Sequence, residues 1–304
     1  MTSLVELGYG AGWSVVKALP RSVVWPLFRA GADRAARRNG PGTQRLRRNL
    51  RQVVGSSMSD SELEVLVRDG LRSYAHYWMD AFQLPRYKRP DLDELFHLEN
   101  WERIRDSVDA GTGCIIALSH SGNWDMAGAW VCAQGWRLTT VAERLKPEGL
   151  YRRFVTYRES LGMEIVPATG GERAPLDVLT DTLGKAGVVP LLADRDLSAR
   201  GVEVRFFDGR TRMPAGPAML ALRTGAPLFT VSLWYEGYRT CGVLDGPVPL
   251  PASGALDERV RALTQTVADM LGRRIAEHPQ DWHMLQRLWL SEPAGSPGPG
   301  SDGG

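Results

Sequence analysis

The residues best suited to chemistry in this sequence are His120 and Asp125, in the stretch "CIIALSHSGNWDMAGAW" at 114–130. The apolar start of this stretch is typical of a buried strand, which tolerates few ionisable groups. In an open parallel sheet, ligands bind beyond the carboxyl ends of the strands. A histidine with a nearby carboxylate indicates a general base that acts on an incoming hydroxyl group. We therefore expect direct attack by that hydroxyl, with Asp125 orienting and charging the imidazole of His120.

The residues between this pair offer a second chemical group. Gly122, Asn123 and Trp124 are predicted to form a tight turn with exposed N–H groups at the end of the strand. We expect this turn to hold the negative oxygen that forms when a carbonyl is attacked, with Asn123 in contact with substrate. Ser121 is adjacent, but the GxSxG pattern of a nucleophile elbow is absent, so a serine nucleophile is the weaker alternative.

A second polar stretch, "LLADRDLSARGVEVRFF", begins where another predicted strand ends. Asp194 and Arg195 lie at that point and are candidates for substrate binding. Strand alternation in "VEVRFF" places Glu203 and Arg205 on one face. We expect Glu203 to reach His120 as a second carboxylate partner and Arg205 to contact a phosphate. An exposed salt bridge on an edge strand is an equally good interpretation of these two residues.

The elements that position these residues alternate between strand and helix. The sequence predicts strands in "CIIALS", "LTTVA", "EIVPA", "VVPLLAD" and "LFTVSLW", with helical patterns between them. This order predicts an α/β fold with a mostly parallel central sheet and helices on both faces. The hairpin-like pair "LFTVSLWYEG" and "RTCGVLDG" predicts an antiparallel margin. We expect one domain over residues 1–290 and a disordered tail over 291–304, where Pro, Gly and Ser leave nothing to bury.

The amino-terminal part of the chain differs in charge from the rest. The chain has a net charge of +2, yet residues 1–51 contain ten basic side chains and two acidic ones. Two amphipathic helices divided at Pro20 are predicted over residues 3–38, and we interpret them as a contact with an anionic membrane surface. The alternative is that they only cover the core. The sequence indicates neither a spanning helix nor a signal peptide, so we expect a peripheral protein at the cytoplasmic face of the membrane.

The cysteines and histidines do not indicate a metal site. The sequence contains three Cys and five His, and their spacing matches neither a CxxC pattern nor a zinc motif. Buried free thiols in a reducing compartment explain the cysteines. No metal or cofactor is therefore expected.

The motif "HSGNWD" resembles the His-x4-Asp motif of the glycerolipid acyltransferases, and in particular its form in the bacterial lipid A lauroyl and myristoyl acyltransferases. Similar segments occur in the same order on both sides of it. They are "RRNLRQVVG" and "LRSYAHYWMD" before it, and "ADRDLSARGVEVRFF", "AMLALRTGAPLF" and "EHPQDWHMLQRLW" after it. The resemblance extends over residues 45–290. Within this family, the chain resembles the actinobacterial branch that acylates phosphatidylinositol mannosides. The features that favour this branch are the Arg- and Gly-rich composition, the Pro/Gly tail and Glu203.

The resemblance implies an activity, a donor and an acceptor. The implied reaction moves a long-chain acyl group from acyl-CoA, such as palmitoyl-CoA, to a mannose hydroxyl of a phosphatidylinositol mannoside. His120 would remove the proton of the hydroxyl, supported by Asp125 and Glu203. Arginines would bind the CoA phosphates, and the candidates are Arg158, Arg195 and Arg205.

Three alternatives to this reaction remain. A lipid A type acyltransferase would take its acyl group from an acyl carrier protein. An acyl-CoA thioesterase would use the same histidine to activate water. A non-catalytic lipid-binding protein of the membrane would use the amino-terminal region alone.

Overall fold

The computed structural model describes residues 19–144, 147–196 and 201–290. Its helices are α1 (Arg21–Arg38), α2 (Pro41–Val54), α3 (Asp60–Gln83), α4 (Arg89–Leu95), α5 (Glu102–Asp109), α6 (Trp124–Ala133), α7 (Glu148–Glu159), α8 (Pro175–Leu183), α9 (Gly216–Thr224) and α10 (Leu256–Glu277). Its strands are β1 (Phe96–Glu99), β2 (Cys114–Leu118), β3 (Thr139–Ala142), β4 (Glu164–Pro167), β5 (Val188–Leu192), β6 (Val202–Phe206), β7 (Gly209–Met213), β8 (Leu228–Glu236) and β9 (Arg239–Asp245). The predicted strand and helix alternation is confirmed. The predicted helix before Pro20 and the predicted tail lie outside the described residues.

The central sheet has five strands in the order β1-β9-β8-β2-β5. β8 and β9 are antiparallel, as predicted, and every other neighbouring pair is parallel. The predicted antiparallel margin was wrong in its position, because the unpredicted strand β1 pairs with β9 and forms the edge. β1 has only four residues, so its alternation of buried and exposed positions is too short to recognise.

Two smaller sheets flank the central one. β3 and β4 are parallel to each other. β3 lies next to β5 in space, since Leu138 forms a bridge with Val188 and the Thr140 hydroxyl donates to the Pro190 carbonyl at 2.6 Å. β6 and β7 form an antiparallel hairpin with its own pairing. This hairpin contains the stretch "VEVRFF", which therefore does not belong to the central sheet.

Both faces of the central sheet are covered by helices, as predicted. Successive residues of β2 point to opposite faces because the side-chain period of a strand is two. Ile115 and Ala117 pack with α8, α9 and α10 on one face. Cys114, Ile116 and Leu118 pack with α4, α5, α6 and α7 on the other. The continuous burial of β2 is typical of a central parallel strand and leaves its carboxyl end as the place where polar residues begin.

The amino-terminal helices α1 and α2 pack on α3. Two ion pairs join α1 to α3, one from Arg21 to Asp80 and one from Arg72 to Asp33, each with a closest distance of 2.7 Å. The other side of α1 is exposed and includes Leu27, whose exposed fraction is 68%. Within the described ranges, no helix combines the length and the hydropathy that are needed to cross a bilayer.

Candidate active site

The centre of the site is a pair formed by His120 and Asp194. β2 and β5 are parallel neighbours in which Leu118 is opposite Leu192. The residue two positions after each of these leucines is therefore placed at the same edge of the sheet, and these residues are His120 and Asp194. The imidazole Nδ1 of His120 is 2.6 Å from Oδ1 of Asp194, and the backbone N–H of His120 donates to Oδ2 at 2.9 Å. The carboxylate that orients the imidazole is Asp194, which the sequence analysis had assigned to substrate binding.

The surroundings of Asp194 favour its charged form. The side chain is fully buried, and burial alone would raise its pKa. The charge and hydrogen bonds of His120, together with the indole N–H of Trp282 at 2.9 Å, oppose burial and hold the pKa of Asp194 below its usual value. Because the ionised carboxylate accepts at Nδ1, that nitrogen carries the proton and Nε2 is the nitrogen that can act as a base.

Asp125 is not the partner of His120 that the sequence analysis predicted. It lies in the first turn of α6, as expected, but its Oδ1 accepts from Nε of Arg158 at 2.7 Å and its Oδ2 accepts from the Tyr77 hydroxyl at 2.8 Å. Burial would lower the pKa of Arg158, but the charge of Asp125 raises it above its usual value. Burial and the same charge raise the pKa of Tyr77. Asp125 thus joins α6 to α3 and α7. Arg158 is engaged in this ion pair through Nε, and its phosphate contact stays a prediction.

Glu203 and Arg205 lie on the exposed face of the hairpin. Strand alternation was predicted correctly, since Val204 and Phe206 are buried whereas Glu203 and Arg205 are exposed. Glu203 forms an ion pair with Arg210 across the hairpin at 2.7 Å, and both side chains are substantially exposed. For Glu203 the interpretation as an exposed salt bridge is therefore correct, with Arg210 as its partner, and the predicted contact of Glu203 with His120 was wrong. The phosphate contact of Arg205 stays a prediction. β6 pairs with β7 and not with the central sheet, which explains the difference.

The turn after His120 is tightly held by the fold. The side chain of Asn123 is fully buried, where its Oδ1 accepts from the backbone N–H of Met126 as the cap of α6 and its Nδ2 donates to Asp80 at 3.4 Å. The predicted substrate contact of Asn123 is thus replaced by a capping role. The N–H of Gly122 donates to the carbonyl of Asp281 at 3.0 Å. Gly122 has a φ of +54°, and a Cβ there would lie 2.8 Å from Leu233, so only glycine fits this turn.

Aromatic side chains form a layer beside His120 that the sequence analysis did not identify. Trp124 meets the His120 ring edge to face at a centroid distance of 5.6 Å, and Tyr77 stacks on Trp124 at 4.2 Å. Tyr74 continues the layer and contacts Trp78. Arg195 lies close enough to Tyr74 for its charge to oppose the rise that burial causes in the pKa of that tyrosine.

A large apolar cavity lies on the far side of this layer. Its volume is about 1300 Å³, and it is lined by residues of α1, α2, α3 and α7. Its charged lining residues are Arg38 and Arg153. Tyr74 and Trp78 belong both to its wall and to the aromatic layer, so the cavity and His120 are connected by a continuous series of ring contacts. The other apolar lining residues include Leu27, Phe28, Leu71, Ala75, Phe154 and Leu285.

His283 is a second buried histidine close to the site. Its Nε2 is 2.9 Å from the Ser73 hydroxyl, and its backbone N–H donates to the carbonyl of His120 at 2.8 Å. Burial, together with the nearby His120 and His76, lowers the pKa of His283 to about 3. Its side chain is therefore neutral in the folded protein near neutral pH.

His283 should make the protein sensitive to acid. A histidine with a lowered folded-state pKa contributes stability that is present above its unfolded value of about 6.5 and is lost as the pH falls below it. We expect the stability of the wild type, relative to His283→Gln, to fall by about 2.5 kcal/mol between pH 7 and pH 4.5. Denaturant unfolding at several pH values measures this difference, and His97→Gln, at an exposed position of β1, is the control. A difference that does not change with pH would contradict the neutral state of His283.

Taken together, the fold and the site define an α/β protein with a histidine, its buried carboxylate partner and an apolar cavity on the far side of an aromatic layer. The chain matches the model of the bacterial lipid A biosynthesis acyltransferases over residues 3–291. It belongs to this family, and the resemblance drawn from its motifs is confirmed.

Two curated relatives are similar along nearly their whole length. A protein of Mycolicibacterium smegmatis named phosphatidylinositol mannoside acyltransferase is 48% identical over 289 residues, which is 95% of this chain and 92% of the relative. A protein of the same name from Mycobacterium tuberculosis is 45% identical over 291 residues, which is 94% of this chain and 89% of the relative.

Proposed function

We propose that this chain transfers a long-chain fatty acyl group from acyl-CoA to a mannose hydroxyl of a phosphatidylinositol mannoside. The observation that carries the proposal is the His120–Asp194 pair at the carboxyl end of β2, in a member of an acyltransferase family. The names of the relatives support the glycolipid acceptor. The apolar cavity, which a series of ring contacts connects to His120, supports a long acyl chain as the transferred group.

The pair supports a reaction by direct attack. Nε2 of His120 takes the proton of the mannose hydroxyl while the hydroxyl oxygen bonds to the thioester carbonyl carbon. The carbon–sulfur bond then breaks, and the imidazolium returns its proton to the CoA thiolate. The Asp194 carboxylate stabilises the imidazolium between these two steps. Ser121 does not act as a nucleophile in these reaction steps, because its side chain is buried and its hydroxyl forms a hydrogen bond with the hydroxyl of Ser119.

The cavity fits the acyl chain of the donor. Ligand cavities usually measure about 300–1,000 Å³ and are mostly apolar, and this one, at about 1300 Å³, is large enough for a long chain. The positive charge of Arg195 acts on Tyr74, which belongs to the layer that separates the cavity from His120. The phosphate contact that we propose for Arg195 would place the CoA part of the donor at this position.

Substitution in the cavity should shorten the preferred acyl chain. Ala75 lies on α3 and lines the cavity. We expect Ala75→Phe to fill part of the volume and to reduce kcat/KM for palmitoyl-CoA by about 10-fold relative to dodecanoyl-CoA, since each excluded methylene forfeits about 0.8 kcal/mol of burial. Ala276→Phe, at an exposed position of α10, is the matched control. An unchanged chain preference in Ala75→Phe would place the acyl chain elsewhere.

The exposed side of α1 supports a peripheral position on an anionic membrane. Val23 and Leu27 are 50% and 68% exposed, and Leu27 also lines the cavity. The same helix carries exposed arginines at positions 29, 34, 37 and 38. Exposed apolar side chains beside arginines suit the boundary of an anionic lipid surface. Sedimentation with anionic but not with neutral vesicles is the expected result.

The release of CoA tests the reaction and separates the alternatives. Palmitoyl-CoA is supplied to the purified protein with and without phosphatidylinositol mannoside in anionic vesicles, and free thiol and acylated lipid are both measured. We expect CoA release that requires the acceptor and equals the acylated lipid formed. Release without acceptor would indicate a thioesterase. Turnover only with an acyl carrier protein as donor would overturn the acyl-CoA part of the proposal, and vesicle binding without turnover from either donor would indicate a lipid-binding protein.

A further inference from the structure

The segment that follows α10 runs directly along the loop that contains His120. Residues 281–283 contact this loop through three successive residues. The carbonyl of Asp281 accepts the N–H of Gly122, Trp282 forms an antiparallel bridge with Ser121, and the N–H of His283 donates to the carbonyl of His120. The position of the catalytic loop is thus fixed by a part of the chain more than 150 residues away in sequence.

Within this segment, the side chain of Trp282 reaches the carboxylate behind the base. Its indole is fully buried, and its Nε1 donates to Oδ2 of Asp194 at 2.9 Å. The same oxygen accepts the backbone N–H of His120 at 2.9 Å, while Oδ1 is 2.6 Å from the imidazole Nδ1. Three donors therefore determine how the carboxylate is rotated, and Trp282 is the one that does not come from His120 itself.

We propose that Trp282 is a positioning residue for the reaction: its indole N–H fixes the rotation of the Asp194 carboxylate and thereby the direction of the His120 imidazole. Without this N–H, the two remaining donors are the backbone N–H and the imidazole Nδ1 of His120. Both belong to the residue that the carboxylate orients, so neither can fix the carboxylate independently of it. The carboxylate then has an unfilled lone pair in a buried place, where it turns toward any other donor. The proposal deepens the proposed function and rests on it for its kinetic consequence.

The hairpin of β6 and β7 holds the ring of Trp282 in place. Phe206 and Phe207 contact the ring of Trp282 at centroid distances of 6.0 and 6.2 Å. The stretch "VEVRFF" is thus connected with the site through the buried face of the hairpin. The exposed face of the hairpin forms the salt bridge between Glu203 and Arg210.

The structure offers a matched control in Trp289. Its ring contacts the same Phe206, at 6.3 Å. Its indole nitrogen is buried and has no hydrogen-bond partner among the described residues. Substitution of either tryptophan by phenylalanine removes the same atoms next to Phe206, but only Trp282→Phe removes a hydrogen bond to Asp194.

The kinetic test compares these two substitutions. A hydrogen bond to a buried charged group corresponds to about a 10- to 100-fold effect on rate. We expect Trp282→Phe to lower kcat by this factor with little change in KM, and Trp289→Phe to change kcat by less than about 3-fold. Equal losses in both variants, or a loss in Trp282→Phe confined to KM, would overturn the proposal.

A second measurement does not depend on activity. In protein labelled with ¹⁵N-histidine, the Nδ1 proton of His120 should resonate far downfield because of its short hydrogen bond, and it is identified by its absence in His120→Ala. We expect this resonance to move or broaden in Trp282→Phe and to stay in place in Trp289→Phe. An unchanged resonance in Trp282→Phe would overturn the proposal even if the reaction were a different one. If Trp282→Phe does not fold, the benzothienyl analogue of tryptophan at position 282 replaces only the N–H and takes its place in both measurements.

Discussion

His120→Ala should lower acceptor-dependent CoA release by about 10³-fold or more, because general base catalysis contributes about 10²- to 10⁴-fold and the imidazole of His120, held by Asp194, is the proposed base. The effect should appear in kcat, since the base acts in the transition state and not in substrate binding. The measurement is the initial rate of thiol release from palmitoyl-CoA with saturating acceptor.

The fold of this variant should remain intact. His120 contributes its backbone to two contacts, with Asp194 and with His283, and alanine keeps both. Denaturant unfolding checks this point, and His97→Ala, at an exposed position of β1, should retain full activity. A folded His120→Ala protein that still works at half the wild-type rate would contradict the assignment of the base.

Asp194→Asn should have the second largest effect, a loss of about 10²- to 10⁴-fold in kcat. An asparagine amide can present its NH₂ group to Nδ1 of His120, which would move the ring proton to Nε2 and remove the base. The imidazolium would also lose the negative charge that stabilises it. The rate of acceptor-dependent CoA release again measures the loss.

Asp125→Asn is the matched control for this substitution. Asp125 is bound to Arg158 and Tyr77, so its replacement breaks a largely buried ion pair. We expect it to lower the free energy of unfolding by about 3 kcal/mol, more than Asp194→Asn does, and to reduce kcat less. A folded Asp125→Asn protein with a greater loss of kcat than Asp194→Asn would return the role of His120 partner to Asp125.

The sequence predicted the site to the extent that local patterns determine it. The apolar run before His120 fixes the end of β2, and Asp194 follows the equally clear run of β5, so both residues were identified as candidates. Their pairing was missed because it depends on which strands are neighbours in the sheet. β2 and β5 are separated in sequence by β3 and β4, and only the register of Leu118 with Leu192 brings the two residues together.

The assignment of Asp125 was wrong for a related reason. Its place in the first turn of α6 was predicted correctly, but periodicity does not tell which helices pack against that turn. Tyr77 and Arg158 come from α3 and α7, and they meet Asp125 only in the folded protein. Trp282 lies in the segment "EHPQDWHMLQRLW", which resembles the family. This resemblance marked the segment as part of the family pattern but did not indicate what Trp282 contacts.

The most direct test of the account is a double-mutant cycle on His120 and Asp194. The kcat of acceptor-dependent CoA release is measured for the wild type, His120→Ala, Asp194→Asn and the double variant, after unfolding curves have confirmed that all four are folded. If Asp194 acts through His120, the double variant should be about as slow as His120→Ala alone, since groups that act as a unit are not additive. If the two losses in kcat multiply, the carboxylate contributes independently of the histidine, and the claim that Asp194 acts through His120 is wrong.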